Sequence, residues 1–159
     1  MYISTSRRQY CSPGGIFMKV RELMTPRVIR IAPEENAAVA ARTLTHYNVG
    51  ALPVCTPDGR LCGMLTDRDI VTRCLASGRQ PENTTVGDIM TRNVVTAMPE
   101  MDAGAAASLM ARQQVRRLPV VQNGSICGMV TLGDLSRNDQ SAPDAADALA
   151  EITGNVSRW

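Results

Sequence analysis

The sequence predicts an α/β (α+β) fold: two tandem β-α-β-β-α repeats packed with pseudo-two-fold symmetry. The first observation behind this is an ordered internal repeat. Leu23-Met24-Thr25 recurs as Ile89-Met90-Thr91, Val28 to Pro33 as Val94 to Pro99, and Leu52-Pro53-Val54 as Leu118-Pro119-Val120, each 66 residues on. Cys62-Gly63-Met64-Leu65-Thr66 then recurs as Cys127-Gly128-Met129-Val130-Thr131, at an offset of 65. The second is that each copy alternates short β-rich runs with stretches at helical spacing. The third is composition: 159 residues, 44% hydrophobic and 20% charged, ordinary for a globular chain. Two copies are too few for a solenoid, so a mutually packed pair is expected.

The elements follow in chain order. A helical turn precedes Val28 to Ile31, a β-rich run stopped by Pro33. Residues 36–47 carry Ala37, Ala40, Ala41 and Leu44 at helical spacing, with Asn36 as N-cap. Leu52 to Cys55 and Leu61 to Thr66 read as strands joined by Thr56-Pro57-Asp58-Gly59-Arg60, a hairpin turn closed by a left-handed glycine. The second copy replaces that turn with Asn123-Gly124, a two-residue type I′ signal, which accounts for the lost residue. Asp67 to Ser77 reads as a helix ending at Gly78. The helices of the second copy are expected over 102–113 and 132–137, and 136–144 as a loop. A short C-terminal helix from Asp144 to Ile152, with Ala145, Leu149 and Ile152 at helical spacing, is expected to dock onto a partner or the body of the protein. The predicted organisation is a tail over 1–17, repeats over 18–78 and 86–137, a linker over 79–85, and a C-terminal tail over 138–159.

Composition excludes several functions. Seventeen basic against fifteen acidic residues give +2, too balanced for a nucleic-acid or membrane-surface protein, although Arg7 and Arg8 leave a tail-mediated contact open. Aromatics are 3%, so Ala, Val, Leu, Ile and Met build the core. Met64, Met90, Met98, Met101, Met110 and Met129 read as core or pocket lining. The five cysteines, Cys11, Cys55, Cys62, Cys74 and Cys127, include no C-x-x-C and read as buried free thiols in a reducing, cytoplasmic setting. No signal peptide and no membrane span are expected. The single histidine, His46, reads as a surface residue, and no nucleophile–base pair or phosphate-binding loop is present. No catalytic role can be assigned to any residue set, and no metal is expected.

The doubled pattern L-M-T, V-x-x-x-x-P, helix, L-P-V and G-M-(L/V)-T-x-x-D resembles the cystathionine-β-synthase (CBS) domain. The chain therefore resembles a stand-alone CBS pair, or Bateman module, over about residues 18–137; Gly63 to Val71 is similar to the bacterial hypoxic-response type. The resemblance implies a cleft between the repeats with two quasi-equivalent sites for an adenosyl ligand: AMP, ADP, ATP or S-adenosylmethionine. One site would combine Thr66, Arg68 and Asp69 with Val95, Val115, Arg116 and Arg117. The other would combine Thr131, Gly133 and Asp134 with Ile29, Val49, Gly50 and Ala51.

The chemistry of these residues bears on that implication. Thr66 and Asp69, like Thr131 and Asp134, straddle a strand-to-helix junction, where exposed N–H groups and the helix dipole favour a phosphate or a capping carboxylate. An ionised aspartate accepts only, so it can hold two ribose hydroxyls. Arginine's planar fork suits phosphate oxygens, and Gly50-Ala51 stands where the second copy has Arg116-Arg117, so the two sites should differ. The expected function is a non-catalytic adenosyl-ligand sensor, signalling by rearrangement between repeats to a protein partner. The alternative is a constitutive dimerisation or adaptor module with a vestigial cleft. A homodimer through the Ala-rich helices 37–44 and 102–113 is expected in either case.

Overall fold

The computed structural model describes residues 17–154. In the first half, α1 (Val20–Leu23) is a single turn and α2 (Ala37–Tyr47) starts where the Asn36 side chain accepts the Val39 N–H. The helix stops at Asn48, which adopts a left-handed conformation at φ 51°. Strands β1 (Ala51–Cys55) and β2 (Leu61–Thr66) form an antiparallel hairpin, with Ala51 opposite Thr66 and a bulge between Val54 and Cys55. After β2 come α3 (Asp67–Asp69), a π-helix over Ile70–Leu75 and a 3₁₀ turn over Pro81–Asn83.

The second half repeats this order with α4 (Val86–Ile89), α5 (Ala103–Gln113), β3 (Arg117–Gln122), β4 (Ser125–Thr131) and α6 (Leu132–Ser136). The β3–β4 turn has Asn123 at φ 53° and Gly124 at φ 81°, both left-handed, as a type I′ turn requires. A last helix, α7 (Ala142–Gly154), packs on α5 and α6.

The N-terminal segment of each copy completes the core of the other. Val20 N–H donates to Met101 O and Ala103 N–H to Met18 O, and Val20 is buried in the core of the second half. Reciprocally, Val86 N–H donates to Glu35 O and Gly87 N–H to Pro33 O, and Val86, Ile89 and Met90 belong to the first core. Each crossing segment lies against the partner hairpin, with Thr25 bridged to Met129 and Thr91 to Met64. This explains the glycine of the repeated C-G-M. A Cβ at Gly63 would stand 2.6 Å from Thr91 O, and one at Gly128 2.5 Å from Met24 Sδ. The hairpin ends also meet, through the Arg60–Ser125 bridge. Residues 79–85 pack as well: Thr84 is buried and its carbonyl accepts the Ala37 N–H.

The structure corrects several local expectations. The run Val28 to Ile31 forms no ladder: Ile31 makes one parallel bridge to Val54, and Ala97 makes its equivalent to Val120. Prolines 26 and 33 bracket the run, and Pro53, its neighbour on β1, has no N–H to donate. The expected α-helix from Asp67 to Ser77 widens after Asp69 into the π-helix, where Ala76 N–H reaches Val71 O. β-Branched Ile70, Val71 and Thr72 crowd a regular turn there, and the Thr72 hydroxyl donates to Arg68 O. In α7 the buried residues are Ala145, Ala148 and Ile152, whereas Leu149 is 44% exposed. That helix also begins earlier than expected, at Ala142, because Ser141 is buried with its hydroxyl donating to Leu135 O. Met98 is 62% exposed rather than core, while Met64, Met90 and Met110 are buried. Most alanines of α2 and α5 are buried within the chain, and the large apolar side chains left open on helices are Tyr47, Val71, Leu75 and Leu149. His46 is exposed as expected. Cys55 and Cys74 are buried, Cys62 and Cys127 half-buried, and Cys11, Arg7 and Arg8 lie outside the described residues.

Candidate functional site

The two strand-to-helix junctions are built alike. At the first, Thr66 N–H and Oγ1 donate to Asp69 Oδ2 at 2.8 and 2.7 Å, and Asp69 N–H donates back to Thr66 Oγ1. At the second, Thr131 N–H and Oγ1 donate to Asp134 Oδ2 at 2.9 and 2.8 Å, with the same return bond. Each is a capping box, so one carboxylate oxygen of each aspartate serves the fold. The other oxygen faces an arginine one turn on: Asp69 Oδ1 lies 3.5 Å from Arg73 Nε and Asp134 Oδ1 3.2 Å from Arg137 Nη1. A carboxylate has about four lone-pair sites, so both retain acceptor capacity. Arg73 also donates to Ile89 O at 2.9 Å, tying the first junction to the segment that crosses from the second copy.

The surroundings differ. In front of the first junction lies a cavity of about 480 Å³ between the halves. It gathers Thr66, Arg68 and Asp69 with Val95, Val115, Arg116 and Arg117. Gly50 and Ala51, expected at the other site, line this cavity too. The Arg117 guanidinium lies against Gly50: a Cβ there would be 3.6 and 3.8 Å from its two terminal nitrogens. Burial and the neighbouring Arg116 pull the Arg117 pKa down, and Asp67 acts in the opposite direction. Among the described residues, no carboxylate stands within 4.0 Å of that guanidinium.

At the second junction, Thr131 and Gly133 open on a groove of about 590 Å³ whose far wall is α7, through Ala145, Ala146 and Leu149. Arg116 and Arg117 line this groove as well as the cavity. The structure does not bring Ile29, Val49, Gly50 and Ala51 to it. Ile29 packs against the first core, Val49 is on the surface at 37% exposure, and Arg117 stands between Gly50 and the groove. A hollow of about 650 Å³ beside Phe17, Asp102 and Asp144 shares no lining residue with the spaces at the two junctions and has no cationic lining among the described residues.

Sequence reasoning missed Asp67, Thr91 and Asn93, which also line the cavity. It also missed Arg73. The signal for Arg73 was its position one turn after Asp69.

A tandem family match fits this duplicated architecture. The model of the CBS domain matches residues 20–76 and again 86–141. The chain belongs to the CBS-domain family. CBS domain-containing protein YhcV of Bacillus subtilis is 41% identical over 84% of this chain and 94% of its own length. The crystal structure of Hypoxic Response Protein I with two coordinated zinc ions has TM-score 0.71 at 34% identity, covering 76% of this chain and 98% of that one. Among the described residues here, no group of three His, Cys, Asp or Glu could hold a metal ion. The CBS pair of MJ0100, in complex with 5-methylthioadenosine and S-adenosyl-L-methionine, has TM-score 0.69 at 30% identity, over 76% of this chain and 94% of that one. CBSX2 in complex with AMP has TM-score 0.67 at 29% identity, over 75% and 93%. CBS domains are regulatory rather than catalytic modules, and related structures hold adenosyl ligands. No described helix is long and apolar enough to cross a membrane.

Proposed function

We propose that this CBS pair is a sensor of phosphorylated adenosine, binding one nucleotide (AMP, ADP or ATP) in the cavity before Thr66–Asp69. Arg117 carries this reading: it is a half-buried guanidinium with no carboxylate within 4.0 Å among the described residues, facing a space that also holds Asp69. A partly desolvated cation gains from an anion beside it, and arginine binds phosphate oxygens in pairs. Asp69 supplies the acceptor for the ribose hydroxyls with the capacity its capping box leaves free. S-Adenosylmethionine brings a positive sulfonium toward three arginines, Arg68, Arg116 and Arg117, so the phosphates are favoured over it. The junction at Thr131, Gly133 and Asp134 has α7 for a wall and binds adenosyl ligands more weakly.

Occupancy of the cavity shifts the arrangement of the halves, and a protein partner in the cytoplasm reads the shift. A ligand moves such an equilibrium only by its difference in affinity for the two arrangements. The pair acts as a homodimer through the open helix surface of the first half, where Val71 and Leu75 are 55% and 52% exposed. Those two residues also favour a second reading, an adaptor whose cleft is unused. Thermal melting with AMP, ADP, ATP or S-adenosylmethionine separates the readings. At 100 times Kd the ligand adds about 2.7 kcal/mol, or about 5–10 °C in midpoint for this size. The sensor reading expects the nucleotides to raise the midpoint and S-adenosylmethionine to trail them; a midpoint that none of the four moves leaves the adaptor.

A further inference from the structure

The two capping boxes match, but the arginines beside them are spent differently. Arg137, with its side chain 77% exposed, donates from Nη1 to Asp134 Oδ1 at 3.2 Å, so that oxygen already accepts a hydrogen bond. Arg73 instead gives its Nη1 to the segment that crosses from the second half. It donates to Ile89 O at 2.9 Å and to Thr91 Oγ1 at 3.3 Å. Its Nε stays 3.5 Å from Asp69 Oδ1, an ion pair and not a hydrogen bond. The charge of Asp69 is thereby compensated while the lone pairs of Oδ1 stay open.

The crossing segments show the same asymmetry. Each exchanges two backbone hydrogen bonds with the opposite hairpin, Thr91 with Met64 and Thr25 with Met129. Among the described residues, the segment through Thr91 alone is also held by the arginine of its junction. Thr91 and Asp69 line one cavity, so this arginine joins two of its walls from behind.

We infer that Arg73 is the positioning residue of the nucleotide site: Ile89 and Thr91 hold it off Asp69, which leaves Oδ1 to the ribose and ties occupancy to the crossing segment. This rests on the nucleotide reading of the cavity and names the residue that couples it to the second half. Ribose hydroxyls that donate to Asp69 Oδ1 weaken its pull on Arg73, and the guanidinium commits to Ile89 O and Thr91 Oγ1. Linkage makes the effect reciprocal: the segment that holds Arg73 favours the ribose. Because the coupling runs through the ribose, adenosine produces it as AMP does.

The test uses the full chain, with AMP and adenosine each brought near saturation by calorimetry. Hydrogen–deuterium exchange over residues 86–92 is expected to slow several-fold with either ligand. Arg73→Gln removes the charge beside Asp69; it is expected to weaken both ligands by a similar factor, about 5- to 20-fold, and to abolish the slowing. Arg73→Lys returns a cation, but a point charge cannot hold Ile89 O and Asp69 together, so affinity within about threefold of the unaltered chain is expected, still without the slowing. A role in stability alone would not separate affinity from exchange in this way. Arg137→Gln is the control and keeps the slowing. Either Arg73 variant, bound to ligand and showing the full slowing, overturns the coupling and leaves the nucleotide site standing. Should Arg73→Gln fail to fold, Arg73→Lys decides alone. AMP that does not bind the unaltered chain overturns both.

Discussion

The junctions Thr66–Asp69 and Thr131–Asp134 repeat one another bond for bond and differ in what surrounds them. Both close the same capping box, both turn an aspartate toward an arginine one turn on, and both follow a strand whose glycine admits the crossing segment. Yet the first faces a cavity shared with the other half, and the second a groove walled by α7. The position just before Leu-Pro-Val is Gly50-Ala51 in one copy and Arg116-Arg117 in the other. The lesson is that duplication retained what folding needs and altered what a ligand meets. Gly50 belongs to that alteration: the Arg117 guanidinium lies against it, at contact distance from where a Cβ would stand.

Variants can break this comparison or sharpen it. The largest effect is expected at Asp69. Asp69→Ala removes one or two charge-assisted bonds of about 1.5–3 kcal/mol each, weakening nucleotide binding by roughly 10- to 1,000-fold. Asp134→Ala removes the equivalent box and leaves the tight binding event nearly untouched, as fluorescence titration with a labelled nucleotide will read. Both variants lose about 1 kcal/mol of stability through the cap, so equal losses of binding would erase the distinction between the sites. Arg117→Ala comes next: ATP and AMP are expected to weaken by about 10- to 100-fold while adenosine holds, since a charged hydrogen bond contributes about 1.5–3 kcal/mol. Smaller still, Gly63→Ala and Gly128→Ala force a crossing segment aside and should each cost about 1–3 kcal/mol in urea unfolding. If one of these is neutral, the crossing is not symmetric. The smallest effect is a pH dependence centred on Cys55 in the first half. Burial pushes the Cys55 thiol up to about 11 from its model-compound value of 9.0. The folded state thus keeps its proton more firmly, and this contribution is present below pH 9 and declines as pH rises toward 11. Cys55→Ala should flatten that decline in a melting series.

Much of this was legible because it was written twice. The order of blocks gave the two copies, Asn36 placed the start of α2, and Asn123-Gly124 placed the second hairpin turn. The first cavity drew its residues from motifs that repeat: Thr66, Asp69 and the pair before Leu118-Pro119-Val120. What escaped was tertiary. Nothing local says that Val20 belongs to the second core or Val86 to the first, because their apolar character fits either. The inward side of α7 was misjudged since helical spacing offers Leu149 and Ala148 equally, and close approach to the Ala-rich α5 selected the smaller residue. The strand expected at Val28 to Ile31 stopped at one bridge. Pro26 and Pro33 bracket the run, and Pro53 leaves its neighbour with the Cys55 N–H as donor to Ile31, a tertiary pairing the run alone does not reveal.

The claim that matters most is that one nucleotide sits between the halves with its phosphates on Arg116 and Arg117 and its ribose on Asp69. A crystal structure of the full chain grown with ATP tests it directly. The account predicts difference density in the cavity before Thr66–Asp69, with phosphate oxygens at hydrogen-bond distance from Arg117. Density confined to the groove beside Thr131 and α7, or ATP bound with its phosphates turned away from both arginines, would contradict it.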